Sequence, residues 1–181
     1  GRRAEAEVRF REAEQTQAER QPAYPLLYSL RGFQYCDLLL TAAERAAGQT
    51  FVAAVWRPPH TSSALPVRLA AEDGGGHQTA ATPLLDSCRA VSARAAQTLK
   101  WISDYGRDVL SPSLDHLTLG RAALYAAILS ARSRRRESAP TSSAPEIDQR
   151  GLTSAATELE SAVSGLRRAG QQHLLVVGLL T

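Results

Sequence analysis

YPLLYSLRGFQYCDLLL, residues 24–40, is the stretch on which the fold turns. Its apolar residues leave almost no polar face. A helix apolar nearly all round must be covered on several sides. Pro25 stands where a first-turn proline is tolerated, because that position has no intrahelical N–H bond to lose. These signs predict a helix over 25–46, stopped by Gly48. Gly32 in its interior costs roughly 1 kcal/mol against alanine. Close approach of a neighbouring helix is the expected compensation.

Toward the N-terminus, residues 3–20 predict a helix ending before Pro22. Ala6, Phe10 and Ala13 form its apolar stripe. Glu5, Glu7, Arg9, Arg11, Glu12 and Glu14 form the solvated side, with Glu7 and Arg11 in the favourable order four apart. On the other side, residues 48–83 carry four prolines, the triple glycine at 74–76 and many serines and threonines, and predict a flexible loop. Within it, 51–56 suits a short strand or a helical turn. A third helix is expected over 84–105, with Ala95, Leu99 and Ile102 inward, Asp86 or Ser87 as an alternative cap and Gly106 as the stop. Ser111 and Pro112 predict the N-cap and first turn of a fourth helix over 113–131, with Gly120 at its centre. Residues 132–150 predict a second polar loop. A fifth helix is expected over 152–169, closed by Gly170, with Ala155, Leu159, Ala162, Leu166 and Ala169 inward. A sixth begins near Gln171 and contains Gly178.

The chain has 181 residues, 44% of them hydrophobic, enough for one domain with a sizeable core. The net charge of +3 does not call for nucleic acid. No run reaches the roughly 18 apolar residues that span a bilayer, and no signal-peptide pattern opens the chain. Two cysteines, Cys36 and Cys88, make no disulfide framework. A reducing, cytoplasmic location is expected. Beginning at Gly1 and ending in an apolar run, the chain reads as a fragment of something longer.

Chemistry is hard to place on these residues. There is no GxxxxGK and no GxGxxG after a strand. His60, His77, His116 and His173 lack metal-ligand spacing, and HExxH is absent. Arg132 and Arg134 to Arg136 form the one basic cluster, without interleaved aromatics, and are expected to be solvated. No enzyme activity, metal or cofactor is expected.

Two helix types alternate along the chain. One carries Ala6-Phe10-Ala13, Ala95-Leu99-Ile102 and Ala162-Leu166-Ala169. The other carries Tyr28-Gly32-Tyr35, His116-Gly120-Ala123 and Leu174-Gly178-Thr181. Small residues at matched places let consecutive helices nest, and large ones fill the layers between. The pattern resembles the tetratricopeptide repeat, and Tyr28-Gly32-Tyr35 and Ala6-Phe10-Ala13 are similar to its first and second helices. LYSLRGFQYCDLLL, LDHLTLGRAALY and GLRRAGQQ also resemble repeat segments of large bacterial multidomain proteins that join such arrays to signalling ATPases or effectors. The spacing departs from that family. The usual period is about 34 residues, whereas Gly32 to Gly120 is 88 and Gly120 to Gly178 is 58. Both excesses fall inside a helix pair, at 48–83 and 132–150.

The resemblance implies an all-α, right-handed antiparallel helix-hairpin array of about six helices with two long loops, in one domain over 1–181. It implies protein–protein interaction or scaffolding, with a peptide or helix bound in a groove. The alternative is a regulatory or sensor segment of a multidomain signalling ATPase or transcription regulator. Exposed residues of the first helices would line the groove, and Arg31, Gln34, Asp37, Arg121 and Tyr125 are the candidates.

Overall fold

The computed structural model describes residues 1–55, 81–103, 108–137 and 149–170. Among these are five helices and no strand: α1 (Arg2–Arg20), α2 (Ser29–Val55), α3 (Ala81–Ser103), α4 (Leu110–Glu137) and α5 (Gln149–Arg168). The expected sixth helix and the bodies of both expected loops, 56–80 and 138–148, lie outside the described residues.

Helix α4 sits at the centre and packs against α2, α3 and α5, while α1 packs on α2. Contacts between side chains fix the directions. Ser29 meets Ser111 and Thr50 meets Arg132, the same offset at both ends, so α2 and α4 run parallel. Arg3 and Phe10 of α1 meet Leu38 and Tyr35, which makes α1 and α2 antiparallel. Gly120 faces Leu159 and Gly165 faces Ser113, which makes α4 and α5 antiparallel. One apolar cluster joins α2, α3 and α4 through Cys36, Leu40, Ala43, Ala47, Cys88, Val91, Ala122, Tyr125 and Leu129. A second joins α2, α4 and α5 through Phe33, Leu114, Leu117, Ala162 and Leu166.

Several boundaries differ from the sequence expectation, each for a local reason. Helix α2 begins at Ser29, not at residue 25. Ser29 holds a left-handed φ of 55°, which interrupts helical geometry before it. The preceding chain is tied elsewhere, with the Leu27 N–H donating to Glu14 Oε1 (2.9 Å). Gly48 does not stop α2, which continues to Val55. Its φ is not positive, and contacts beyond it, such as Thr50 with Arg132 (3.2 Å), hold the last turns. Helix α3 starts at Ala81, so Asp86 and Ser87 are interior, and the Ser87 hydroxyl donates back to the Pro83 carbonyl (2.9 Å).

Helix α4 is capped by Asp108, and Ser111 already lies inside it. Asp108 Oδ1 accepts from the N–H groups of Leu110 (2.9 Å) and Ser111 (3.3 Å). The helix also runs through 132–137, the first part of the expected second loop. Helix α5 closes as expected at Gly170, with φ of 70°.

The glycines separate into kinds. A Cβ on Gly32 would strike the carbonyl of Leu27, so the close approach there is the chain's own linker and not a neighbouring helix. A Cβ on Gly120 would lie 2.7 Å from Leu159 Cγ and 3.2 Å from the Ala155 carbonyl oxygen, and one on Gly165 would overlap Ser113. Helices α4 and α5 therefore cross where small residues let the backbones meet.

In α1 the inward face also differs. Ala13 is exposed and Glu14 is half-buried, because the period from Ala6 through Phe10 carries on to Glu14, which α3 and the linker satisfy. Cys36 and Cys88 are both free and buried, and burial pushes their thiols up to about 12 and about 11. No helix among the described residues is long and apolar enough to cross a membrane.

Candidate interaction surface

The five residues expected to line a groove fall into two groups. Arg31, Gln34 and Asp37 are exposed on α2, at spacings of three that keep them on one stripe. Arg121 and Tyr125 are buried, at 2% and 5% exposure, which corrects the expectation that they face solvent. The reason is the central position of α4. Its residues from 110 to 133 are all buried or half-buried.

The structure nevertheless brings three of the five together. Arg121 Nη1 reaches Asp37 Oδ1 at 2.8 Å, and its Nη2 donates to Glu44 Oε2 at 3.3 Å. Its Nε donates to the Tyr125 hydroxyl at 3.3 Å. The guanidinium is buried while both carboxylates are about half exposed. Burial opposes the charge on Arg121. The Tyr125 hydroxyl and the Asp37 carboxylate outweigh it, and the guanidinium's pKa is raised. For Tyr125 burial acts in the other direction and raises the pKa, against the opposing Arg121 guanidinium. Glu44 escaped the sequence reading. The signal that points to it is its spacing of seven from Asp37, two helical turns along the same side of α2.

Three further polar junctions tie the helices. Arg94 of α3 makes a two-pronged ion pair with Glu14 of α1, one arm at 3.0 Å, and lies 4.8 Å over the Tyr35 ring. Tyr35 in turn stacks on Phe10 at 5.1 Å. Deeper still, the Thr98 hydroxyl donates to Asp115 Oδ1 at 3.0 Å, while Asp115 Oδ2 is buried without a hydrogen-bond partner among the described residues. Burial pushes the Asp115 carboxyl up to about 7, against the opposing Thr98 bond. At the α4–α5 seam, His116 Nδ1 lies 2.6 Å from Glu158 Oε2, which accounts for His116 as a structural partner.

The arrangement is one of ion pairs and hydrogen bonds between helices. Among the described residues no three His, Cys, Asp or Glu side chains are grouped to hold a metal. Neither thiol is poised as a nucleophile, since burial disfavours both thiolates. No protein family, no curated protein and no solved structure matches this chain.

Proposed function

We propose that the chain is a protein-interaction module, a right-handed array of helix hairpins similar to tetratricopeptide repeats, that takes a peptide or helix of a partner along α2. One observation supports this most directly. Helices α2 and α4 lie side by side and parallel at a constant register, as corresponding first helices of successive hairpins do. Register alone leaves the outer stripe of α2 open, with Arg31, Gln34, Asp37, Glu44 and Arg45 exposed along it.

In this reading Arg121 is a support and not a contact. Its buried charge is paired with Asp37 and Glu44, and these two half-exposed carboxylates outnumber the one guanidinium they contact. A basic side chain of the partner would be met there, flanked by the hydrogen-bonding amide of Gln34. Affinity would come from shape and a few fixed anchors.

The test is affinity capture with the chain as bait, beside a double variant Arg31→Ala, Gln34→Ala and a charge reversal Asp37→Lys. One partner captured by the native chain and lost with the surface variants is the expected result. A partner retained by all three, with the variants folded by circular dichroism, would move the binding surface elsewhere. Arg121 is left native, because its replacement would disturb the core as well as the surface.

A further inference from the structure

We infer that a second site, at the junction of the α1–α2 linker with the end of α3 and the start of α4, binds a quaternary ammonium group. The cavity there is about 340 Å³ and is lined by Gln21, Tyr24, Tyr28, Trp101, Ile102, Asp108 and Ser111. Its lining shares no residue with the outer stripe of α2, and it does not depend on the reading given above.

Three aromatic side chains and one carboxylate on a single small cavity are the elements of a cation-binding cage. Tyr24 and Trp101 stand at 82° with centroids 5.4 Å apart. In such a T, each inner corner is walled by the faces of both rings. A cation seated in the corner therefore meets the negative face of more than one π system. Tyr28 adds a third ring and is 40% exposed, so one side remains open for approach. Its position is held by the left-handed turn at Ser29, whose hydroxyl lies 2.7 Å from that of Ser111.

Asp108 decides the chemical class. It is the one charged side chain among the described lining residues. Its carboxylate faces the N-terminal end of α4, and its full negative charge exceeds the partial positive charge of that helix end. The junction therefore favours a cation over an anion. Its oxygens are already engaged, accepting from the Leu110 and Ser111 N–H groups and from the Ser111 hydroxyl. Three of the roughly four acceptor positions of the carboxylate are thus filled within the protein. A primary ammonium would have to find acceptors for three N–H groups against these ring faces, whereas a trimethylammonium group has none to satisfy. The volume suits one such group and a short tail. A free choline-like molecule and a trimethylated lysine side chain share this chemistry.

The experiment is a titration of the intact chain with tetramethylammonium chloride, choline and trimethyl-lysine amide at constant ionic strength. The readout is the Trp101 indole N–H resonance, assigned with Trp101→Phe. The controls are 3,3-dimethylbutanol, the neutral counterpart of choline, and unmodified lysine amide. Saturable shifts with the quaternary cations, and binding of each control weaker by about tenfold, are expected. Asp108→Asn keeps a capping acceptor and should weaken the cations by about tenfold while leaving the neutral control unchanged. Tyr28→Leu, at an exposed position, should weaken them several-fold with an unchanged melting temperature. Tighter choline than trimethyl-lysine amide would assign a free small molecule, and the reverse order a methylated side chain. The inference is overturned if no cation gives a saturable shift by ~50 mM, beyond the weakest affinities of specific sites, or if either control binds as tightly as its quaternary counterpart.

Discussion

Helices α2 and α4 carry the same device, a glycine inside a largely apolar helix, and they run parallel and in contact. They solve burial differently. Helix α2 keeps an exposed stripe with Leu30, Arg31, Gln34, Asp37 and Glu44, and its fully buried side chains are apolar or aromatic. Helix α4 is enclosed by three helices, and of the six buried polar or charged side chains among the described residues, five are its own: Ser111, Ser113, Asp115, Thr118 and Arg121. A helix at the centre cannot leave its polar groups in water, so each must find a partner inside. Ser113 and Thr118 turn back to the carbonyls of Val109 (2.6 Å) and Leu114 (2.9 Å). Arg121 is answered by α2, and Asp115 is answered only in part, by Thr98. Hydrophobicity along the sequence thus marked α2 as the more apolar helix, while enclosure fell to the one with more polar residues.

The glycines give the sharpest way to break this contrast. Gly120→Leu should destabilise by on the order of 3 kcal/mol, because both the side chain of Leu159 and the backbone of Ala155 stand where the new atoms must go. Thermal unfolding would measure it, and an unchanged midpoint would show that α4 and α5 do not meet there. Arg121→Ala is expected next, at about 2 to 3 kcal/mol, from lost packing and a stranded Tyr125 hydroxyl. Asp37→Ala should cost less, since Glu44 remains to face the guanidinium. Equal losses for the two would mean that the triad acts through charge alone and not through the buried position of its arginine.

Asp115 sharpens the comparison through pH. Its carboxyl is raised from 3.8 to about 7 in the folded chain, so folding takes up a proton between these values. The associated stability is complete below about pH 4, declines as pH rises toward 7 and is flat above it, a change of a few kcal/mol at most. Asp115→Asn should flatten that slope in denaturant unfolding followed from pH 4 to pH 8. A native slope of the opposite sign, unaffected by the substitution, would show that Asp115 is ionised in the fold. The smallest effect is expected on α2, where Gly48 is exposed and nothing lies within 4 Å of a Cβ placed on it. Gly48→Ala should stabilise by roughly 0.5 to 1 kcal/mol.

Much of the helical content could be read from local signals. The α5 stripe from Ala155 to Leu166, the stop at Gly170 and most of the span of α1 all depend on residues a few positions apart. The boundaries that moved depend on distant partners. Ser111 looked like a cap because Pro112 follows it, but Asp108 lies where its carboxylate reaches two free N–H groups. The candidate surface was legible to the same degree. Arg31, Gln34 and Asp37 belong to an exposed stripe that periodicity describes. Arg121 and Tyr125 have similar local sequence and are buried, because a third and fourth helix pack on α4.

By itself, the sequence determined that the described segments are helical, which faces of α3 and α5 are apolar, and that the glycines include points of close approach. Periodicity and glycine placement are local properties, and they act before any two helices meet. Only the tertiary structure decided which helix lies at the centre, that Gly32 yields to its own linker while Gly120 yields to α5, and that Tyr24, Tyr28, Trp101 and Asp108 share one cavity. Those outcomes depend on side chains tens of residues apart competing for the same space and the same partners, which no window of sequence contains.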